Sequence, residues 1–282
     1  MRFLIVIPIH NEAGSILACV QSLEAQTYRD FRVVLVDDGS SDDTPKLIDD
    51  FAQCHNRFSV LHLEPSEHQP GAKVVRTFYK GLDTQSLEDI EVICKFDADI
   101  IFPENYLQRL NDIYTDNDDV GMASGLLYIE HNGVWLHEAV ANKNHIRGAI
   151  KSYRKECFQK MKGIRPTLGW DNIDVMLAQM YGYRVFVDRS IYVKQIRPTA
   201  YKYQSKKAEK LGEYFYNIGL DIPLAIISAL KSALKNRSPK AFFVIIKTYW
   251  RQNHQHELTS EEIAFIRKYR RKQMLNKIFL KS

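Results

Sequence analysis

Two carboxylates one residue apart, Asp97 and Asp99, close the run Val92-Ile93-Cys94-Lys95-Phe96. In an extended chain alternate residues share a face, so acids in this spacing at a strand's carboxyl end would aim into one crevice. Oxygen pairs of that kind suit Mg²⁺ or Mn²⁺, which complete their shells with water and phosphate oxygens. The same tripeptide also makes an ordinary turn after a strand, so the choice between the two rests on what lies upstream.

Upstream, strand and helix signals alternate. Phe3–Pro8 is an apolar run of buried-strand length, and Ile16, Val20 and Leu23 recur at helical spacing within Ser15–Gln26. Arg32–Val36 reads as a second strand, with Thr44-Pro45 as helix cap and first-turn proline. Ser59–Leu63 reads as a third strand, Gly71–Leu82 as a helix and Glu91–Phe96 as the strand that delivers the acid pair. This alternation predicts an α/β fold with a mostly parallel sheet, and such sheets bind ligands beyond the carboxyl ends of their strands. Three polar clusters fall at those ends: His10, Asn11 and Glu12, then Asp37 and Asp38, then Asp97 and Asp99. So many acids exceed what turns alone require, which favours a site for phosphate and a metal. Neither a Gly-x-Gly-x-x-Gly fingerprint nor a P-loop is present.

Of the 282 residues, 45% are hydrophobic, enough for a large core. The net charge of +5 equals the local excess after Thr259, where two acids meet seven bases, so the body is neutral. A neutral body argues against nucleic acid as a partner, while the basic end suggests an anionic membrane surface. Cys19, Cys54, Cys94 and Cys157 are widely spaced and read as reduced, buried thiols. The apolar run after Met1 is too short for a secretory signal, so a cytoplasmic location is expected.

The motifs Ile7-Pro8-Ile9-His10-Asn11-Glu12, Gln26-Thr27-Tyr28-Arg29-Asp30-Phe31, Val36-Asp37-Asp38-Gly39-Ser40-Ser41-Asp42-Asp43-Thr44 and Phe96-Asp97-Ala98-Asp99 resemble, in order, those of family 2 glycosyltransferases. The resemblance implies a GT-A nucleotide-diphospho-sugar transferase fold over residues 1–205, a nucleotide-diphosphate sugar donor, a divalent cation (Mn²⁺ or Mg²⁺) and inversion at the anomeric carbon. It implies that Pro8 and Glu12 line the nucleoside pocket, that Asp38 accepts a hydrogen bond from the base, usually uracil, and that Asp97 and Asp99 face the ribose and the metal-bound diphosphate. Arg76 would add positive charge near the diphosphate or lie solvated on the surface.

Further along, Val120–Ile129 reads as a strand whose Gly121 and Gly125 permit close backbone approach, His131-Asn132-Gly133 as a turn, and Tyr153–Met161 as a short helix. Leu168-Gly169-Trp170-Asp171-Asn172-Ile173-Asp174 enters another helix, at the place where family members carry Glu-Asp with a catalytic base. Asn172 cannot take a proton, so the resemblance implies that the base, if this motif supplies one, is Asp171, with Asp174 as the alternative; Asp171 as a mere helix cap stays open. Trp170 would stack on an acceptor sugar or sit in the core. After a strand signal at Arg184–Val187, Gln195 stands where many relatives place a metal-binding histidine, and Arg197 is a further candidate for the diphosphate.

Residues 206–282 read as helices only. No run reaches the roughly 18 apolar residues of a membrane span. Phe265, Ile266, Tyr269, Ile278 and Phe279 lie among bases, as in an interfacial helix or a packed helix with a solvated basic face. The expected function is sugar transfer to a glycan or lipid-linked acceptor in cell-surface polysaccharide synthesis. A catalytically weakened nucleotide-sugar-binding or scaffold protein and a sugar nucleotidyltransferase are the alternatives.

Overall fold

The computed structural model describes residues 1–65, 69, 71–137, 145–197 and 207–279, with side chains to residue 276. In chain order the elements are β1 (Phe3–Ile9), α1 (Ile16–Glu24), β2 (Phe31–Asp38), α2 (Thr44–Cys54), β3 (Phe58–Leu63), α3 (Ala72–Leu82), β4 (Val92–Phe96), β5 (Ile100–Ile101) and α4 (Tyr106–Asp116). They continue with β6 (Val120–His131), β7 (Val134–His137), β8 (Ile150–Arg154), α5 (Lys155–Lys160), α6 (Trp170–Met180) and β9 (Arg184–Gln195). Four helices follow: α7 (Lys207–Asn217), α8 (Ile222–Lys235), α9 (Pro239–Arg251) and α10 (Ser260–Phe279).

The strands form one sheet in the order β3-β2-β1-β4-β8-β6-β9-β5, with β7 as a hairpin partner of β6. The half built from β1 to β4 is parallel, as the alternation predicts. The other half is not: β8 lies antiparallel to both β4 and β6, and β5 antiparallel to β9. The sheet is therefore mixed rather than mostly parallel. The missed piece is β8, a five-residue strand that opens on Ile150-Lys151-Ser152 and runs straight into α5, so its last two residues fell within the helix expected over Tyr153–Met161.

Alternate residues of β1 build two cores. Phe3, Ile5, Ile7 and Ile9 face α1, α2 and α4, whereas Leu4 and Val6 face α3 and α6. Phe215, Leu224, Ile245 and Ile266, one from each of α7 to α10, join that second core, so the C-terminal helices pack on the sheet domain as one body. Thr259 starts α10 with a capping box: its Oγ1 accepts from the Glu262 amide, and its own amide donates to Glu262 Oε2 at 2.9 Å. Ile266 is fully buried, and Phe265 and Tyr269 pack against the same core. The apolar residues read as an interfacial face thus turn inward; the side chains of Ile278 and Phe279 lie outside the described residues.

Smaller expectations shift too. The α2 cap is Asp43 rather than Thr44. Gly121 and Gly125 admit Tyr183 and Ile191, not a ligand. Cys54 is exposed while the other three thiols are buried. Among the described residues no helix is long and apolar enough to cross a membrane.

Candidate functional site

The loops after β1 and β2 are sewn together by hydrogen bonds, and this explains most of their polar residues. The Asn11 amide donates to Ser40 Oγ at 2.8 Å, the Ser41 amide to Asn11 Oδ1 at 2.8 Å, and the Glu12 amide to Thr44 Oγ1 at 2.8 Å. Asp37 accepts from the Ser40 amide and meets the His62 ring at 3.0 Å, so it shapes its own loop. Asp38 is the acid that turns the other way: it lines a cleft of 790 Å³ at the carboxyl ends of β1, β2 and β4.

Pro8, Glu12, Asp97, Asp99, Gln195 and Arg197 line that same cleft. Asp97 and Asp99 reach it differently from the expectation. β4 stops at Phe96, and the acids occupy the turn into β5, where the Asp97 amide donates to the Ala149 carbonyl at 2.9 Å. Convergence therefore comes from a turn pinned to β8, not from strand alternation. Asp99 is buried, and burial together with the Asp97 charge pushes its carboxyl up to about 6. The Gln195 amide lies 3.3 Å from its Oδ2, and the Arg197 guanidinium lies 3.6 Å from Asp99 and pairs with Glu12.

These residues fit a divalent cation. Asp97 and Asp99 offer carboxylate oxygens, the donors a hard ion prefers, and their present counter-charges are Lys95, which pairs with Asp97, and the Arg197 guanidinium, 3.6 Å from Asp99. Among the described residues no cluster of three or more His, Cys, Asp or Glu side chains could hold a metal, so the remainder of any shell falls to Gln195, water or ligand phosphate.

On α3 the residues that line the cleft are not the one singled out from the sequence. Arg76 is exposed, bonds Gln69 and lines a neighbouring groove rather than the main cleft. Lys73 and Thr77, one turn apart, face the cleft: Lys73 Nζ is 3.2 Å from Asp38, and the Thr77 hydroxyl donates to it at 3.0 Å.

Asp171 and Asp174 do not line the cleft and differ sharply from each other. Asp174 is buried, receiving Lys151 Nζ at 2.7 Å, the Tyr153 hydroxyl at 2.6 Å and the Val175 amide at 2.6 Å. Burial pushes its carboxyl up against the pull of Lys151, and a group so enclosed cannot meet an acceptor. Asp171 is half-buried in the first turn of α6 and accepts from the Asn172 side chain at 3.3 Å. Its Cβ lies beside Gly148, the residue next to the Asp97 anchor at Ala149, so it flanks the acid pair across the start of β8. His145 stands within electrostatic reach; burial and then the Lys151 charge push its ring down to about 4, so it is neutral there.

Trp170 is buried and not free to stack on a sugar. The ammonium groups of Lys95 and Lys151, paired across β4 and β8, lie 5.2 and 5.6 Å from its ring centroid. Lys95 also pairs with Asp97 and donates to the Gly148 carbonyl at 3.3 Å.

The family model for glycosyl transferase family 2 matches residues 4–168, more than half of the chain. The chain belongs to this family. Its similarity to the glycosyltransferase GlyG of Streptococcus pneumoniae is 32% identity over 130 residues, 46% of this chain and 40% of that one. The minor teichoic acid biosynthesis protein GgaA of Bacillus subtilis is 29% identical over 125 residues, 43% of this chain and 26% of that one. The match thus spans less than half the length of these two curated relatives. A mannosyltransferase from Pyrobaculum calidifontis, solved with GDP-Man and Mn²⁺, superposes with a TM-score of 0.60 at 16% identity over 100% of this chain and 88% of that one. The fold is accordingly GT-A, with the antiparallel β8 at its centre.

In this family 2 chain, sequence reading missed Lys73, Lys95, Lys151 and His145. A signal existed for Lys95, a charged residue inside the otherwise apolar strand β4 and two residues before Asp97. Lys151 carried none until β8 was seen to pair with β4.

Proposed function

We propose that the chain is an inverting glycosyltransferase that moves a sugar from a nucleotide diphosphate, with uridine the first candidate, to a hydroxyl of a glycan or lipid-linked acceptor in cell-surface polysaccharide synthesis. The observation that carries this reading is the convergence of residues from four separated motifs on one 790 Å³ cleft. In it, Pro8 and Glu12 border the nucleoside and Asp38, oriented by Lys73 and Thr77, accepts a hydrogen bond from the base. Arg197 holds the diphosphate from the other wall.

Asp97 and Asp99 would hold Mn²⁺ or Mg²⁺, with Gln195 as a weaker ligand through its amide oxygen. Such a cation supplies positive charge beside the departing diphosphate. Lys95 fixes the Asp97 carboxylate from below, and Asp171 takes the proton of the acceptor hydroxyl. The acceptor oxygen then bonds to the anomeric carbon as the bond to the diphosphate oxygen breaks, and the electron pair leaves with the diphosphate. Attack from the face opposite the leaving group inverts the centre.

Asn172 and Gln195 favour a second reading, a donor-binding protein weakened in catalysis. Donor hydrolysis and transfer with and without Mn²⁺ separate the two. A thermal-shift panel of UDP, GDP, dTDP and CMP with and without Mn²⁺ identifies the base, because a ligand selective for the native state raises the melting temperature. Mn²⁺-dependent stabilisation by one nucleoside diphosphate, with turnover, is expected; stabilisation without turnover selects the second reading, and no response to any diphosphate rejects both.

A further inference from the structure

We propose that the α8–α9 hairpin is a docking surface for an anionic lipid bilayer, lying on the membrane with its apolar side in the headgroup boundary. On α8, Ile222, Ile226, Leu230 and Leu234 recur every fourth residue and are 52%, 39%, 50% and 71% exposed, with Ile227 beside them. The helix turns Leu224, Ala225, Ala229 and Ala233 to the core. On α9, Phe243 and Trp250 stand one heptad apart and are 69% and 63% exposed, whereas Ile245 and Ile246 face the core. Large side chains in such a pattern exceed the single exposed apolar residues normal on a soluble surface.

Charge selects the occupant. The 35 residues from Ile222 to His256 contain six bases and no acid. All six, Lys231, Lys235, Arg237, Lys240, Lys247 and Arg251, are exposed. Two copies of this face would repel each other, so self-association is disfavoured. An anionic bilayer satisfies both the apolar stripe and the basic rim, and Trp250 is of the type that settles at such a boundary. The body's overall neutrality hid this segregation. Contact here bears on the acceptor side of the molecule, because α9 packs on α7, whose Tyr214 ring closes over Gly169 immediately before α6.

The test is co-sedimentation of the full chain with vesicles of phosphatidylcholine alone or containing about a third phosphatidylglycerol. Binding to the anionic vesicles only, weakening with salt, is expected. The quadruple variant K231Q/K235Q/K240Q/K247Q should bind at least about tenfold more weakly, and L230D/L234D should lose binding, with melting temperatures near that of the parent. K268Q/K272Q, on α10, should bind like the parent. The inference is overturned by absence of vesicle binding, by equal binding to both vesicle types, by loss confined to K268Q/K272Q, or by a dimer that L230D/L234D converts to monomer without any vesicle binding.

Discussion

Asp171 and Asp174 sit one helical turn apart and have the same chemistry, yet their surroundings divide their roles. A base must reach the hydroxyl it deprotonates, and only Asp171 retains solvent access. Asp171→Asn is expected to lower turnover by roughly a hundredfold or more with donor affinity nearly unchanged, as steady-state kinetics and calorimetry would show. Near-normal turnover of this variant would remove Asp171 from the chemistry. Asp38→Ala should weaken nucleotide binding by about 1.5–3 kcal/mol, the range for a hydrogen bond to a charged group. Calorimetry with UDP on the folded variant checks it, and unchanged affinity would take Asp38 out of the site.

At the scale of elements, β8 and α6 are joined by a buried ion pair. Lys151 and Asp174 have side chains 0% and 1% exposed, and Lys151 also bonds the Asp171 carbonyl at 2.6 Å. Taking one partner away leaves the other charged and enclosed, so Lys151→Met should destabilise the protein by about 3–5 kcal/mol in thermal or urea unfolding. A loss below about 1 kcal/mol would mean that water or Tyr153 compensates. Two glycines govern how α3, α6 and α7 approach one another. Gly71 (φ 75°) starts α3 against Leu168, and Gly169 (φ 96°) starts α6 against Tyr214; a Cβ at either would come within 2.7 Å of its neighbour. The starts of α3 and α6 and the side of α7 thus meet at the loop 167–169.

For the molecule as a whole, the second core is the decisive unit. It joins β1, α3 and α6 to all four C-terminal helices through Phe215, Leu224, Ile245 and Ile266. Removal of residues 207–282 would strip the cover from Trp170, Ile173 and Leu177 on α6, an apolar area too large to leave in water. The truncated chain is expected to aggregate or to lose cooperative melting, as size-exclusion chromatography and circular dichroism would show. A monomeric truncated protein that still melts cooperatively would establish residues 1–206 as self-sufficient.

The sequence alone determined the parallel half of the sheet, the C-terminal helices and the donor-side motifs, because these rest on local periodicity and on residue types that stand at strand ends. Glu12, Asp38, Asp97 and Asp99 stood in the sequence as polar clusters after strands, Arg197 was a candidate only through the family resemblance, and the structure lines one cleft with all five. Tertiary structure decided the rest. β8 was invisible because two of its residues, Lys151 and Ser152, are polar and buried, a pattern that only the partners Asp174 and Tyr114 make affordable. Whether Arg76 or Lys73 meets the cleft depends on about 60° of rotation around α3, and whether α8 or α10 presents its apolar side depends on which helix lies against α6. Burial is a property of neighbours distant in the chain, so the same Asp, Lys or Ile carries no local mark of the side it will take.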